Sequence, residues 1–187
     1  AGTTMMYLRK DAATALFDLA NTINQVFSAV SGPRTVWTMG RVSVQPGAAA
    51  IVPGYAELDL QYRDPSDEIL DMLEAEVDRV VEEVSSRVPV RISVEPARPR
   101  IAPVKLDPVL QGQLALAAEQ YAPQKWVEMP SGAYHDAGVI SEVMPAAMLF
   151  IPSVGGISHD FSEDSYEEDI VLGCQVLAEA TAQLLSS

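Results

Sequence analysis

Apolar residues in the first half of the chain first recur at the spacing of a helix and then alternate, as in strands, over two runs. Between Asp11 and about Val30 they recur every three or four positions, which predicts an amphipathic helix ended by Ser31–Pro33. Alternating runs over about Val36–Val44 and Ala56–Arg63 predict two strands, separated by a segment with two Pro-Gly turns. The pattern therefore begins as helix, strand, strand.

A second helix and a third strand complete this half. Asp64–Asp67 opens a helix whose buried stripe is predicted to be Ile69, Leu73, Val77, Val80 and Val84. The run Val88–Pro96 predicts a strand with Val90, Ile92 and Val94 facing inward. The order is that of a βαββαβ domain without its first strand, which is central in that topology. An additional strand, from the same polypeptide or a partner, is therefore expected.

The second half has a different pattern, after a Pro- and Arg-rich boundary predicted at Ala97–Pro103. Asp107 followed by Pro108 predicts a helix start, with the helix running to Tyr121, and Ala146–Ile151 predicts a short buried strand. Fold class is thus α+β in the first half and α/β in the second.

The last helix is predicted to open with a capping box of Ser165 and Glu168. Its inner stripe is predicted as Ile170, Cys174, Leu177, Thr181 and Leu184. Cys174 is accordingly interpreted as a small buried residue and not as a nucleophile.

Composition narrows the function classes. The 187 residues carry 12 basic and 26 acidic side chains, a formal net charge of −14, which argues against nucleic-acid binding and against docking on an anionic membrane. One cysteine excludes an intrachain disulfide framework and a Cys-rich zinc site, and fits a cytoplasmic location. The chain opens at Ala1 without an initiator Met, so a piece of a longer or processed protein is expected.

The two histidines are the candidates for metal binding or proton transfer. His135 lies in PSGAYHDAG and His159 in GGISHDFSED, both Gly- and Ser-rich stretches. A loop histidine is either a surface residue or a ligand, donor or proton carrier. His159, Glu163 and Asp164 lie close in the sequence but do not make up a complete zinc ligand set.

Four stretches resemble the peptidase M20-like amidohydrolases, in the branch of the N-carbamoyl-L-amino-acid hydrolases, β-ureidopropionase and allantoate amidohydrolase. These stretches are AGTTMMYLRKDA, GRVSVQPGAAAIVPGYAELDLQYRDPSD, MPSGAYHDAG and PSVGGISHDFSEDSYEEDIVLGCQVLAE. The resemblance implies that residues 1–100 form a βαββαβ lid and homodimerisation domain, and that residues 104–187 are the C-terminal part of a metal-dependent catalytic domain.

The resemblance also assigns roles to residues. His159 matches a metal ligand, while His135, Gly132 and Ala133 match a stretch lining the substrate pocket. Arg63 matches an arginine that binds the carboxylate of a small substrate. The family uses two divalent metal ions, zinc or manganese, and its other ligands and general base precede the lid. This chain would then hold at most one metal ligand and no catalytic base, and would need an upstream catalytic half or partner chain.

Two further functions remain open from the residues. Ala50 stands where the family has a substrate-binding Asn, so a non-catalytic dimerisation or interaction subunit is one alternative. The other is an anion- or amino-acid-binding module centred on Arg63.

Overall fold

The computed structural model describes residues 2–96 and 100–186. The chain divides into two compact units, Ala1–Pro103 (unit 1) and Val104–Ser187 (unit 2). Ala97, Arg98 and Pro99 of the predicted boundary lie outside the described residues. The regular elements of unit 1 are a 3-10 turn Met6–Leu8, α1 Ala12–Val30, β1 Val36–Gln45, β2 Tyr55–Arg63 and α2 Asp67–Arg87. Those of unit 2 are α3 Pro108–Tyr121, α4 Asp136–Ile140, a 3-10 turn Val154–Gly156 and α5 Glu167–Ser186.

Helix α1 begins and ends where the sequence predicts. Asp11 is its N-cap, and the carboxylate accepts a hydrogen bond from the Thr14 N–H at 3.1 Å. This bond satisfies one of the backbone donors that a helix start leaves unpaired. At the other end the Ser31 N–H donates to the Phe27 carbonyl. The predicted helix is confirmed.

Strands β1 and β2 form an antiparallel pair in which Val36 lies opposite Arg63 and Gln45 opposite Tyr55. The register shifts between Met39 and Arg41, so Gly40 is the extra residue of a β-bulge. On β2 the predicted alternation is confirmed, since the apolar positions are half-buried and the polar positions between them are mostly exposed.

Helix α2 starts after Ser66, whose hydroxyl accepts from the Ile69 N–H at 3.3 Å. Asp67 and Glu68 lie in its first turn and Arg87 in its last, which suits the helix dipole. The helix packs on α1, and the predicted stripe is confirmed at Leu73, Val80 and Val84, which are fully buried.

Phe27 is the centre of the unit 1 core. Its ring meets the edges of Trp37 and Tyr62 in T-shaped contacts, with centroid distances of 5.7 and 5.6 Å. Leu73 and Val80 pack in the same cluster. Large side chains from both helices and both strands thus meet in one cluster. Their burial removes a large apolar area from water, which stabilises the folded unit.

An arginine joins the two helices of unit 1 at the surface. Arg87 on α2 donates to both carboxylate oxygens of Asp18 on α1, at 2.8 and 3.0 Å, and to Glu83 at 2.6 Å. It also donates to the Thr22 hydroxyl at 2.8 Å. These hydrogen bonds lower the pKa of Asp18 and of Glu83 below the ordinary carboxyl values.

The predicted third strand is wrong. Residues 91–96 form no strand, and the sheet in the described part of unit 1 has β1 and β2 only. Ile92 packs against the core, but Val94 is 54% exposed. Alternating apolar residues make a segment extended, but a strand also needs a neighbour with which to exchange backbone hydrogen bonds.

Unit 2 is built on the packing of α3 against α5. Asp107 caps α3 as predicted, and its carboxylate accepts from the N–H groups of Val109 and Leu110 at 2.9 Å. The core consists of small side chains on both helices, namely Ala117, Ala118, Val176 and Ala180. The predicted helix from Pro108 to Tyr121 is confirmed.

The predicted strand Ala146–Ile151 is also wrong. Ala146 is buried and its carbonyl accepts from the Asp107 N–H at 2.9 Å, but Leu149, Phe150 and Ile151 are exposed. No strand is assigned in the described part of unit 2. Within the described residues of unit 2, this apolar run therefore pairs with no strand.

Helix α5 buries a different face from the one predicted. Val176 and Ala180 are buried, while Cys174 and Leu177 of the predicted stripe are exposed, so the interpretation of Cys174 as buried is wrong. The helix is apolar on two faces, and the small residues allow the closer approach to α3. The predicted capping box is not formed, because α5 begins at Glu167 and the Ser165 hydroxyl donates to the Pro152 carbonyl at 2.9 Å.

No helix within residues 2–96 and 100–186 combines the length and the apolar content that crossing a bilayer requires.

Candidate functional site

Arg63 is the last residue of β2 and its side chain is exposed. Its Nη2 donates to the Gln61 side-chain oxygen at 3.2 Å. Strand alternation places both residues on the polar face of the strand, away from the core. A guanidinium presented in this way has the geometry to bind a carboxylate with two parallel hydrogen bonds.

The same polar face carries a second arginine with a different environment. Arg41 on β1 donates to Asp59 at 2.8 and 3.0 Å and to Glu57 at 2.9 Å. The Arg41 guanidinium lowers the pKa of Asp59, and the carboxylates raise the pKa of Arg41. Arg41 is thus bound to acidic side chains of its own sheet. Ala50, in the connection between the two strands, is exposed.

In unit 2 the predicted pocket residues Gly132, Ala133 and His135 lie in the loop that leads into α4. His135 is the N-cap of α4, and its carbonyl accepts from the Gly138 N–H at 2.9 Å. The His135 ring is half-buried and tilted against the Phe150 ring, with a centroid distance of 5.4 Å. Its Nε2 lies 2.6 Å from the Ser131 hydroxyl oxygen, and that oxygen accepts a hydrogen bond from the Ala133 N–H at 3.2 Å.

His159 occupies an uncommon backbone conformation, with φ of 59°. Few residues other than glycine adopt this left-handed region, although histidine does so more often than most. The His159 N–H donates to the Glu163 carboxylate at 2.8 Å, and this bond closes the loop. The side chain is exposed, so the ring can be approached from outside unit 2.

The neighbours of His159 bind within their own loop. Asp160 accepts hydrogen bonds from the Ser162 N–H at 2.9 Å and from its hydroxyl at 2.6 Å, and these bonds lower the pKa of Asp160. Gly155 and Gly156 have φ of 67° and 70°, and the Gly156 N–H donates to the Ser153 carbonyl. This glycine pair therefore forms a turn.

The donor set was tested against the implied metal centre. In the part of the chain that the structure describes, no three His, Cys, Asp or Glu side chains converge as a metal site. Glu163 lies near His159, but the contact runs through the His159 backbone N–H. The described residues therefore offer single ligands and do not by themselves make up a metal centre.

The structure joins some of the predicted residues and separates others. Gly132, Ala133 and His135 share one loop, and His159 lies in another loop of unit 2, whereas Arg63 belongs to unit 1. Sequence reasoning missed Ser131, which binds the His135 ring. The available signal was a serine four residues before a histidine in a Gly-containing loop, which is too common a pattern to single out the pair.

Comparison with known proteins places this geometry in a family. The family model for peptidase family M20/M25/M40 matches residues 6–183. An N-carbamoyl-L-amino acid amidohydrolase of Geobacillus stearothermophilus is 31% identical over 185 residues, which cover 98% of this chain and 44% of the relative. An allantoate amidohydrolase of Bacillus subtilis is 27% identical over 187 residues, covering 98% and 44%.

A solved structure agrees with these matches. An amidase of the hydantoinase/carbamoylase family from Burkholderia phymatum superposes with a TM-score of 0.85 at 42% identity, covering 98% of this chain and 44% of the amidase chain. The chain thus spans less than half the length of the relatives it matches. The mixed α/β architecture agrees with this neighbour, and the resemblance noted from the sequence is confirmed. The chain belongs to peptidase family M20/M25/M40.

Proposed function

We propose that this chain supplies the carboxyl-terminal part of a hydrolase that cleaves the carbamoyl C–N bond of N-carbamoyl-L-amino acids or related ureido acids. In that reaction one water adds across the carbamoyl group, and an amino acid, ammonia and carbon dioxide leave. The observation that carries the proposal is the alignment of 98% of the chain with a relative named for this activity. The names of the relatives favour a hydrolase over a non-catalytic dimerisation subunit.

Arg63 is the proposed ligand of the substrate carboxylate. Its position at the end of β2 leaves the residue exposed, and its Nη2 donates to the Gln61 side-chain oxygen on the same face. Arginine suits the task because its planar group matches both oxygens of a carboxylate. The substrate class is therefore a small acid with a carbamoyl or ureido group.

His159 is the proposed metal ligand of this chain. An exposed imidazole on a loop closed by Glu163 is available to a metal whose other ligands come from outside the described residues. Two zinc or manganese ions would supply water activation when bound, and the base would come from polypeptide beyond this chain.

Unit 1 supports a proposal about assembly. The described sheet has two strands, α2 packs on α1, and residues 91–96 pair with neither strand. A strand inserted between β2 and this segment would pair with both and complete a βαββαβ lid. We propose that other polypeptide supplies that strand and that the completed lid forms a homodimer.

Unit 2 supports the same view. Helix α5 buries Val176 and Ala180 against α3, but Leu177 on another face is 53% exposed. Among the described residues of unit 2, the apolar segment around Phe150 has no partner strand either. A helix with apolar residues on two faces is typical of a layer packed on both sides, so unit 2 is proposed as part of a larger catalytic domain.

Ammonia release from N-carbamoyl-L-amino acids tests the function. The full product of the gene is expected to be active, and the 187-residue chain alone is expected to show no turnover with added zinc or manganese. In the full product, His159→Ala should abolish turnover. Arg63→Lys should raise KM for carboxylate substrates about tenfold or more, since it removes a bidentate contact. Asn24→Ala, on helix α1 and distant in sequence from both Arg63 and His159, is the control variant.

Two results would overturn the proposal. Turnover by the 187-residue chain alone would reject the shared centre, and a full product inactive on carbamoyl and ureido acids would reject the substrate class. Light scattering after size-exclusion chromatography tests the dimer, because a stable monomer of the full product at micromolar concentration would reject it.

A further inference from the structure

The Ser131–His135 contact carries an inference that the family assignment does not supply. The Ser131 hydroxyl oxygen lies 2.6 Å from Nε2 of His135, and the two residues flank a short loop in which both are half-buried. The Ala133 N–H donates to the same hydroxyl oxygen at 3.2 Å. One hydroxyl therefore has two neighbours, an N–H donor and an imidazole nitrogen.

The hydrogen-bond partners of the Ser131 hydroxyl indicate a direction for its contact with His135. A serine hydroxyl has one hydrogen to donate and can accept through its oxygen, and the Ala133 N–H already uses it as an acceptor. Among residues 2–96 and 100–186, Nε2 of His135 is the hydroxyl's single acceptor. If Nε2 carried the proton, the hydroxyl hydrogen would have no acceptor there. The network therefore favours Ser131 as donor and an unprotonated Nε2.

We propose that Ser131 is a positioning residue that holds neutral His135 in the tautomer with its proton on Nδ1. No hydrogen bond of Nδ1 is found within the described residues, so Nδ1–H is the donor that His135 offers to a ligand. Contact with the Phe150 ring and the N-cap position restrict the imidazole further. The expected acceptor is an oxygen of the carbamoyl or carboxylate group, and this last step rests on the proposed function.

Nitrogen-15 NMR of the histidine rings tests the tautomer and does not depend on enzymatic activity. In the full gene product, the ring signals that a His135→Gln variant removes are assigned to His135. At about pH 8, above the ordinary imidazole pKa of about 6.5, long-range nitrogen–proton correlations should show protonated Nδ1 and unprotonated Nε2. A wild-type ring protonated on Nε2 would overturn the proposal.

Variants of serine hydroxyls separate positioning from general stability. Ser131→Ala should shift the His135 ring toward a tautomer mixture, and Ser131→Thr, which keeps a hydroxyl, should restore Nδ1–H. Ser141→Ala removes a hydroxyl that donates to the Gly138 carbonyl at 2.7 Å and should leave the tautomer unchanged. A Ser131→Ala spectrum identical to wild type would contradict the assignment.

Kinetics of the full gene product test the consequence for substrate. Ser131→Ala should lower kcat/KM about 3- to 10-fold, the effect of one weakened hydrogen bond, while Ser131→Thr stays near wild type. A shifted tautomer with unchanged kcat/KM would overturn the role toward substrate. If the wild-type product hydrolyses no carbamoyl or ureido acid, the proposed function fails, and the NMR result still decides the tautomer.

Discussion

Unit 1 and unit 2 bury different kinds of side chain. Unit 1 closes around Phe27, Leu73 and Val80, all fully buried. Unit 2 buries small residues such as Ala117 and Ala180 where α3 meets α5. The ion pairs found among the described residues also lie in unit 1. Unit 1 therefore has a core of large side chains from two helices and two strands, whereas unit 2 buries small side chains between two helices and leaves apolar residues such as Leu177 and Phe150 exposed.

Removing the central ring of unit 1 is the most severe way to probe this difference. Phe27→Ala should lower the free energy of unfolding of unit 1 by about 3–5 kcal/mol, because it leaves a cavity between Trp37 and Tyr62. Urea unfolding followed by fluorine NMR of fluorotryptophan reports each unit, since Trp37 lies in unit 1 and Trp126 in unit 2.

The matched control is another phenylalanine of α1. Phe17 is 61% exposed, so Phe17→Ala should change the free energy of unfolding by no more than about 0.5 kcal/mol. Equal losses for the two variants would contradict the view that unit 1 depends on its aromatic centre.

A smaller change in stability is expected where α5 passes close to Ile151 in unit 2. A Cβ at Gly173 would lie 2.5 Å from Cγ2 of Ile151, so Gly173→Ala should destabilise unit 2 by about 1–3 kcal/mol through overpacking. A Cβ at Gly112 on α3 would meet no atom within 4 Å. Gly112→Ala should therefore stabilise unit 2 by about 0.5–1 kcal/mol, because alanine has the higher helix propensity. The Trp126 signal reports the unfolding of both variants. Changes of the same sign in their free energies of unfolding would contradict the packing of Gly173 on Ile151.

The smallest expected effect is on the acid stability of unit 1. Arg87 lowers the pKa of Asp18 and Glu83 in the folded state, so their stabilisation is present above the ordinary carboxyl pKa of about 4 and is lost as pH falls through the lower folded values. Arg87→Met should flatten this acid loss in unfolding experiments between neutral pH and about pH 3. Arg34→Met, at an exposed residue of unit 1, should keep the wild-type pH profile.

Much of the candidate site could be named from the sequence, but its contacts could not. His135 and His159 stood out as the two histidines, both in Gly- and Ser-rich stretches, and the resemblance to the M20-like amidohydrolases assigned their roles and that of Arg63. The bond from Ser131 to His135 and the left-handed backbone at His159 were not predicted. Both depend on how a loop closes, which local preferences do not fix.

The sequence by itself determined the helices α1, α2 and α3, the N-cap of α3 at Asp107, and the strands β1 and β2, because capping bonds and side-chain periodicity act over a few residues. The tertiary structure alone decided that residues 91–96 and 146–151 form no strand and that α5 buries Val176 and Ala180 instead of Cys174. A strand requires a neighbour, and a helix with two apolar faces buries whichever one finds a close partner.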